Sequence, residues 1–287
     1  GISRGVKMQL IKSVKEMQDL SWKWRLAGKK VGLVPTMGFL HNGHLSLAQA
    51  AVKENDITVM SVFVNPIQFG VNEDLDTYPR DLAGDMAKAE SVGVDYIFSP
   101  EPSDMYPAGF ATKMDVEGVT ATLCGASRPG HFQGVSVVVS KLFHLVQPTN
   151  AYFGQKDGQQ LAVIKRFVTD LNIPVIIHGE PIVREEDGLA LSSRNTYLDE
   201  ECRTQALVLN QSLKIAKKAY EAGEKNAETI KNLIIEHIQT APLANIEYVQ
   251  VVDQLTMQPV EKLEKPVMIA MAVRFKTTRL IDNILLG

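Results

Sequence analysis

The chain has 287 residues, 45% of them hydrophobic and 22% charged, and a formal net charge of -3 at pH 7. That length and apolar content suit one large or two modest domains with a sizeable core. The negative balance gives no overall attraction to nucleic acid or to an anionic membrane, so any anion must be bound by a local cluster of donors.

No uncharged apolar run approaches the roughly 18 residues that span a bilayer, and residues 1–30 lack a charged segment leading into an apolar one. Cys124 and Cys202 offer neither CxxC spacing nor a disulfide framework. The chain therefore reads as cytoplasmic, with two reduced thiols. The leader GISRGVK ahead of Met8 reads as a cloning remnant and stands outside the fold reading.

From Met8 onward, short β-branched runs at 31–35, 57–64, 95–99, 150–154 and 174–179 alternate with helical patterns at 45–55, 80–93, 134–147 and 158–172. This alternation predicts βαβ units. The expected class is α/β, with a Rossmann-like, doubly wound parallel sheet over residues 8–180. After residue 180, helical segments at about 200–222 and 226–241 precede strand-like runs at 246–253, 267–275 and 279–286. They predict a second, smaller α+β domain over 181–287.

In PTMGFLHNGHLSL, the strand ends near Pro35, Gly38 permits a turn and a helix begins around His41, so His41 and His44 stand on its first turn. Unpaired N–H groups at a helix N-terminus favour phosphate, and imidazoles add donors. Gly43 lets a nucleotide approach without a Cβ in the way. The same spacing offers two metal ligands, although no HExxH pattern or nearby cysteine completes a site, and a purely structural pair is the third reading.

Asn65 and Gln68 in FVNPIQFG present amides suited to a polyol or carbonyl, or they shape a turn around Pro66. Asp81 and Asp85, at i and i+4, either hold a hydrated Mg²⁺ or are simply solvated. In FGQKDGQQ, Lys156 can reach an anion, Asp157 caps a helix or meets a ribose hydroxyl, and Gln160 lies on the same turn. LSSRN joins the hydroxyls of Ser192 and Ser193 to the Arg194 guanidinium, a grip for polyphosphate. Arg128 and His131 in RPGHFQGV bind an anion or shape a glycine-rich loop. Four of these clusters fall at predicted carboxyl ends of strands, the ligand-binding edge of open α/β sheets.

PTMGFLHNGHLSL resembles the HxGH signature of the nucleotidyltransferase superfamily shared with class I aminoacyl-tRNA synthetases, and LSSRN sits where their KMSKS-type loop would. Together with FVNPIQF, YPR, RPGHFQGV, FGQKDGQQ and GLALSSRNxYL, in this order and spacing, it resembles the pantothenate synthetase (pantoate–β-alanine ligase) family from Met8 onward. Leu191 stands where that family often has methionine.

The resemblance implies ATP-dependent condensation of (R)-pantoate with β-alanine through a pantoyl adenylate, releasing pyrophosphate and AMP, with Mg²⁺ as cofactor. It implies that His41, His44, Lys156, Ser192, Ser193 and Arg194 act on the phosphates. Pro35, Met37, Gly43, Gly154, Asp157, Val183 and Leu191 join Lys156 and residues 192–194 around ATP. Met37, Asn65, Gln68 and Gln160 hold pantoate, Arg128 and His131 contact β-alanine, and Asp85 meets the metal. It further implies a homodimer paired through the N-terminal domain, a C-terminal lid carrying LSSRN, and neither nucleic-acid nor membrane partners. Two rival readings are another nucleotidyltransferase that keeps the nucleotide in its product, and a nucleotide-binding sensor that releases no pyrophosphate.

Overall fold

The structure, a computed structural model, describes residues 7–287, so the first six residues of the leader read as a cloning remnant lie outside the described residues. In chain order the elements begin β1 (Gln9–Ile11), α1 (Val14–Leu26), β2 (Val31–Thr36), α2 (Asn42–Glu54), β3 (Ile57–Val62), α3 (Leu82–Ser91), β4 (Tyr96–Phe98) and α4 (Pro102–Met105). They continue with α5 (Leu123–Ser127), α6 (His131–Val146), β5 (Asn150–Gly154), α7 (Gly158–Asp170) and β6 (Ile176–Glu180). The remainder is α8 (Glu200–Gln205), α9 (Val208–Glu221), α10 (Ala227–Ile238), β7 (Ala244–Asp253), β8 (Val267–Phe275) and β9 (Thr278–Leu286). Among the described residues no helix is long and apolar enough to cross a membrane.

The chain divides into two compact units. The first comprises residues through Asp115, Gly130–Gln155 and Ile164–Pro181; the second comprises Val116–Pro129, Lys156–Val163 and Ile182–Gly287. The second unit thus captures two segments from the first half of the sequence. Gln159 on α7 explains part of that capture: its side chain accepts from Cys124 N at 2.9 Å and donates to the Val119 and Thr122 carbonyls.

In the first unit, six strands run in the order β1-β4-β3-β2-β5-β6, every neighbouring pair parallel. The central strands are buried apolar runs, as parallel strands covered on both faces must be; Val31, Gly32, Leu33 and Val34 of β2 are all buried. From β2 the chain winds outward to β3 and β4, and from β5 it winds the opposite way to β6. The order therefore reverses between β2 and β5, the crevice where open α/β sheets bind ligands. The expected doubly wound sheet is present, with β1 added at its edge.

Two glycines let helices approach closely. A Cβ on Gly32 of β2 would stand 2.6 Å from Asn55 Nδ2 at the end of α2, and one on Gly134 of α6 would stand 2.6 Å from the Gln68 main chain. Helix α6 is apolar on nearly all sides and correspondingly buried.

In the second unit the antiparallel sheet β7-β8-β9 packs against α9 and α10. Its core joins Leu213, Ile230, Ile234, Val251, Ile269 and Phe275. The helix expected over 200–222 is two helices, since the chain breaks at Ala206 and Leu207 after α8, whose start is capped by Asp199 accepting from Cys202 N at 2.8 Å.

Candidate active site

Strand β2 delivers the chain to a tight turn. Thr36 Oγ1 donates to the Ser61 carbonyl and accepts from Gly38 N, while Gly38 and Phe39 both take positive φ, +83° and +49°. For Phe39 that left-handed conformation is costly and must be held by its surroundings. The holder is Asp85 of α3, whose Oδ2 accepts from Phe39 N at 2.9 Å and whose Oδ1 accepts from Leu40 N at 2.7 Å. Lys88, one turn on, donates to the Leu40 carbonyl at 3.1 Å.

The turn leads directly into α2. His41 is its N-cap, with Nδ1 accepting from Gly43 N at 3.0 Å, and His44 Nδ1 accepts from His41 N at 3.1 Å. Because each Nδ1 acts as an acceptor from a main-chain N–H, each neutral ring carries its proton on Nε2. The two rings lie 3.9 Å apart between centroids. The result is a pair of Nε2–H donors at the start of a 13-residue helix, whose own dipole also favours an anion.

Asn65 and Gln68, expected to face substrate together, differ in what they do. Asn65 is 1% exposed. Its amide donates to Gln68 Oε1 and to the Gly134 carbonyl, and its Oδ1 accepts from Tyr106 at 2.6 Å. Gln68 Nε2 in turn reaches Met37 Sδ at 3.5 Å. Asn65 therefore holds Gln68, and Gln68 is the amide beside Met37. Tyr106 was not evident as a site residue in the sequence; burial pushes its hydroxyl pKa up, so it remains a donor. His131, expected near β-alanine, is buried and donates Nδ1–H to the Gln68 carbonyl at 3.0 Å. Arg128, its partner in that expectation, ends α5 in the second unit.

The second unit carries a different set. Gly154 closes β5 in the first unit, and the next residues but one, Lys156 and Asp157, open the second-unit segment at the start of α7, with Gln160 half-buried on its first turn. Loss of water around Lys156 lowers its pKa; Arg194 lowers it further, while Asp157, Asp282 and Cys124 oppose. Its electrostatics thus place Arg194 in its neighbourhood. Residues 183–191 form a tight hairpin in which Leu191 N donates to the Val183 carbonyl, and Arg184 bridges Ala190. A short 3₁₀ turn, Ser193–Tyr197, follows, capped by Ser192 Oγ accepting from Arg194 N at 3.1 Å.

Asp81 and Asp85, at i and i+4, read from the sequence either as a face for a hydrated Mg²⁺ or as simply solvated, with Asp85 the one expected to meet a metal. Asp81 instead caps α3 by accepting from Gly84 N, and Asp85, 2% exposed, has both oxygens engaged by the turn. Burial holds the Asp85 carboxyl above its ordinary pKa, against the two N–H groups and Lys88, which pull it down. Among the described residues no group of three His, Cys, Asp or Glu side chains is placed to hold a metal. Next to this turn a cleft of about 210 Å³ is lined by Met37, Phe63, Arg80, Asp81, Ser99 and Glu101.

Asp85→Asn presents an NH₂ group to one of two buried N–H donors. An unsatisfied buried donor costs about 1–3 kcal/mol, so the denaturant midpoint should fall by a corresponding amount. A variant as stable as the parent would show that the turn is held without this carboxylate.

The Pantoate-beta-alanine ligase family model matches residues 9–285. A pantothenate synthetase of Clostridium botulinum is 51% identical over 276 residues, covering 96% of this chain and 98% of its own length. The crystal structure of pantothenate synthetase from Thermus thermophilus matches with TM-score 0.91 and 45% identity, covering 96% of this chain and 99% of that one. The pantoate-beta-alanine ligase of Francisella tularensis, complexed with beta-gamma ATP and beta-alanine, matches with TM-score 0.81 and 34% identity over 98% of this chain and 99% of its own. By sequence over nearly its full length and by fold, the chain belongs to the pantoate–β-alanine ligase family.

Proposed function

We propose that this chain condenses (R)-pantoate with β-alanine using ATP, through an enzyme-bound pantoyl adenylate. The observation that carries this reading is the histidine pair locked as Nε2–H donors at the N-terminus of α2, within a family match that spans residues 9–285. The Francisella relative's complex supports ATP and β-alanine as ligands.

In the first step a pantoate carboxylate oxygen attacks the α-phosphorus and the bond to the β-phosphate oxygen breaks, so pyrophosphate leaves. A carboxylate with a reference pKa near 4 is already ionised at neutral pH and needs no general base. The protein's task is to position the reactants and stabilise the charge. His41 and His44 donate to phosphate oxygens, and Lys156 and Arg194 supply cationic charge. Ser192 and Ser193 add hydroxyls, and Gln68, with Gln160, orients pantoate beside Met37. Pro35, Gly43, Gly154, Asp157, Val183 and Leu191 serve the nucleotide. In the second step the β-alanine amine, having lost a proton, attacks the adenylate carbonyl carbon, and the carbon–oxygen bond to AMP breaks. Arg128 is the group assigned to that substrate's carboxylate. His131 acts at one remove, through the Gln68 turn. The SSRN segment, as a lid, would keep water from the anhydride.

The donor set does not make a protein cage for Mg²⁺, because the Asp85 oxygens serve the turn. It suits an ion that arrives on the phosphates and keeps most of its waters, and such an ion would supply charge neutralisation there.

The direct test follows pyrophosphate, AMP and amide with ATP, Mg²⁺ and pantoate, with or without β-alanine. His44→Ala and Lys156→Ala should each cut single-turnover pyrophosphate release about 10²-fold or more; near-normal release in both would remove the phosphate-clamp assignment.

Lys156 also makes a pH-dependent prediction. Its folded pKa is lowered, so it gives up its proton at lower pH than an exposed lysine does, and over that range an arriving triphosphate raises the pKa and draws in a proton. Calorimetric titration with ATP in buffers of different ionisation enthalpy should report proton uptake that disappears in Lys156→Ala. Buffer-independent heats would contradict it.

In the same reading the enzyme works in the cytoplasm as a homodimer paired through the first unit, whose surface exposes Trp22 and Leu26 of α1 and Ile176 of edge strand β6. Sedimentation at micromolar concentration should give a dimer's mass, and a monomer alone would count against this pairing.

A further inference from the structure

Two neighbouring polar residues on β9, Asp282 and Asn283, are each 3% exposed within a strand whose companions include Leu280, Ile281, Ile284 and Leu286. Successive strand residues point to opposite faces, so the two side chains leave β9 in different directions. Each reaches a segment that carries phosphate-directed groups. The Asp282 carboxylate forms a two-pronged ion pair with Arg184, accepting from Nη1 at 2.7 Å and Nη2 at 2.8 Å. Arg184 stands at the base of the hairpin that runs into Ser192, Ser193 and Arg194, and its Nη1 also donates to the Gly188 carbonyl in the hairpin's turn. Asn283 Nδ2 donates to the Lys156 carbonyl at 3.0 Å, and Asn283 N donates to Asp282 Oδ1 at 2.8 Å.

Stability alone gives a weak reason for this arrangement. A charge pair held in an apolar sheet recovers little beyond its desolvation cost, and well-packed apolar residues commonly do as well or better. Main-chain ties of this kind do fix where loops stand, and a bidentate guanidinium–carboxylate pair fixes direction as well as distance. We propose that Asp282 and Asn283 are positioning residues that set, from a single strand, the spacing between the Lys156 segment and the Ser192–Arg194 segment. The proposal rests on the reaction assigned above. Neither side chain touches substrate; they act through Arg184 and the Lys156 main chain.

Asp282 has a second effect, because its charge favours the Lys156 ammonium, as do Asp157 and Cys124, against Arg194 and the loss of solvent. Taking that charge away makes Lys156 lose its proton at lower pH. The two residues are thereby separable: both affect geometry, and only Asp282 affects the titration.

The experiment compares the full-length protein with Asp282→Asn and Asn283→Ala, measuring pyrophosphate release with ATP and pantoate across pH, ATP affinity, and thermal stability. A misplacement of about 1 Å at a reacting group costs up to about 10²-fold in rate. Asp282→Asn should therefore lose about 10- to 100-fold in rate, with the alkaline limb of its profile displaced to lower pH. Asn283→Ala should lose rate with the limb in place. Rates that fall only in proportion to the folded fraction, with both limbs unmoved, overturn the proposal. If Asp282→Asn does not fold, a wild-type rate in folded Asn283→Ala overturns it. Should the parent protein bind ATP but release no pyrophosphate with pantoate, the reaction assignment fails, and ATP affinity decides the positioning role. Weaker alkaline binding in Asp282→Asn than in the parent supports that role, and equal affinity ends it.

Discussion

A left-handed turn of two residues, Gly38 and Phe39, must be kept in place for His41 and His44 to stand at the head of α2, and the Asp85 carboxylate does this from a different helix. The carboxylate is nearly sealed from water and would be costly there without partners. The two N–H groups supply them, and Lys88 secures the next carbonyl. The energetics couple in both directions. The turn satisfies the buried acid, and the acid stabilises a backbone conformation that Phe39 would otherwise leave. Beyond the turn, His41 and His44 close their own ring of bonds with the first main-chain N–H groups of α2. The orientation of both imidazoles is thus set by main chain that Asp85 anchors.

Much of this was legible in the sequence because its signals are local. Strand, glycine turn and helix start follow one another within residues 31–44, and the parallel α/β alternation follows from runs of apolar residues. What escaped has a physical cause in each case. β1 is three residues long, too short for a period, although Ser13 and Glu16 do carry a helix-start signature, and Ser13 Oγ caps α1. The roles of Asn65 and His131 depend on what lies opposite them. Asn65 is saturated by Tyr106 and Gly134, 41 and 69 residues away, so its type announced an amide and could not announce that the amide faces inward. The division into units was likewise hidden. No change of composition marks residues 116–129 or 156–163; single long-range bonds tie them to the second unit, among them Gln258 to Gly118, Thr122 to Met257 and Asn283 to Lys156.

These bonds share a pattern. Polar side chains that the sequence suggests as ligand contacts in several places hold other suggested groups instead: Asn65 bonds Gln68, His131 bonds the Gln68 carbonyl, and Asp85 bonds the turn that leads into His41. Such groups need every donor and acceptor satisfied, since a buried polar network with one member missing is worse than none. That requirement makes them rigid, and rigidity is what the first step of the proposed reaction, which needs no general base, would demand of its scaffold.

The charge distribution carries the same logic. With a net charge of -3, the chain offers a polyanion no general attraction, and favourable interaction must be concentrated where solvent is already reduced. Lys156 meets this condition, its ammonium destabilised by loss of water before any ligand arrives, so an anionic partner gains more from it than from an ammonium in bulk solvent. The histidines work differently. Protonation at Nδ1 would break the bonds from Gly43 N and His41 N that orient them, so they serve best as neutral dipoles, donating through Nε2. In this assignment the cationic charge comes from Lys156 and Arg194 and the directional donors come from His41 and His44. The N-cap bonds that aim the imidazoles are also what keeps the two tasks on separate residues.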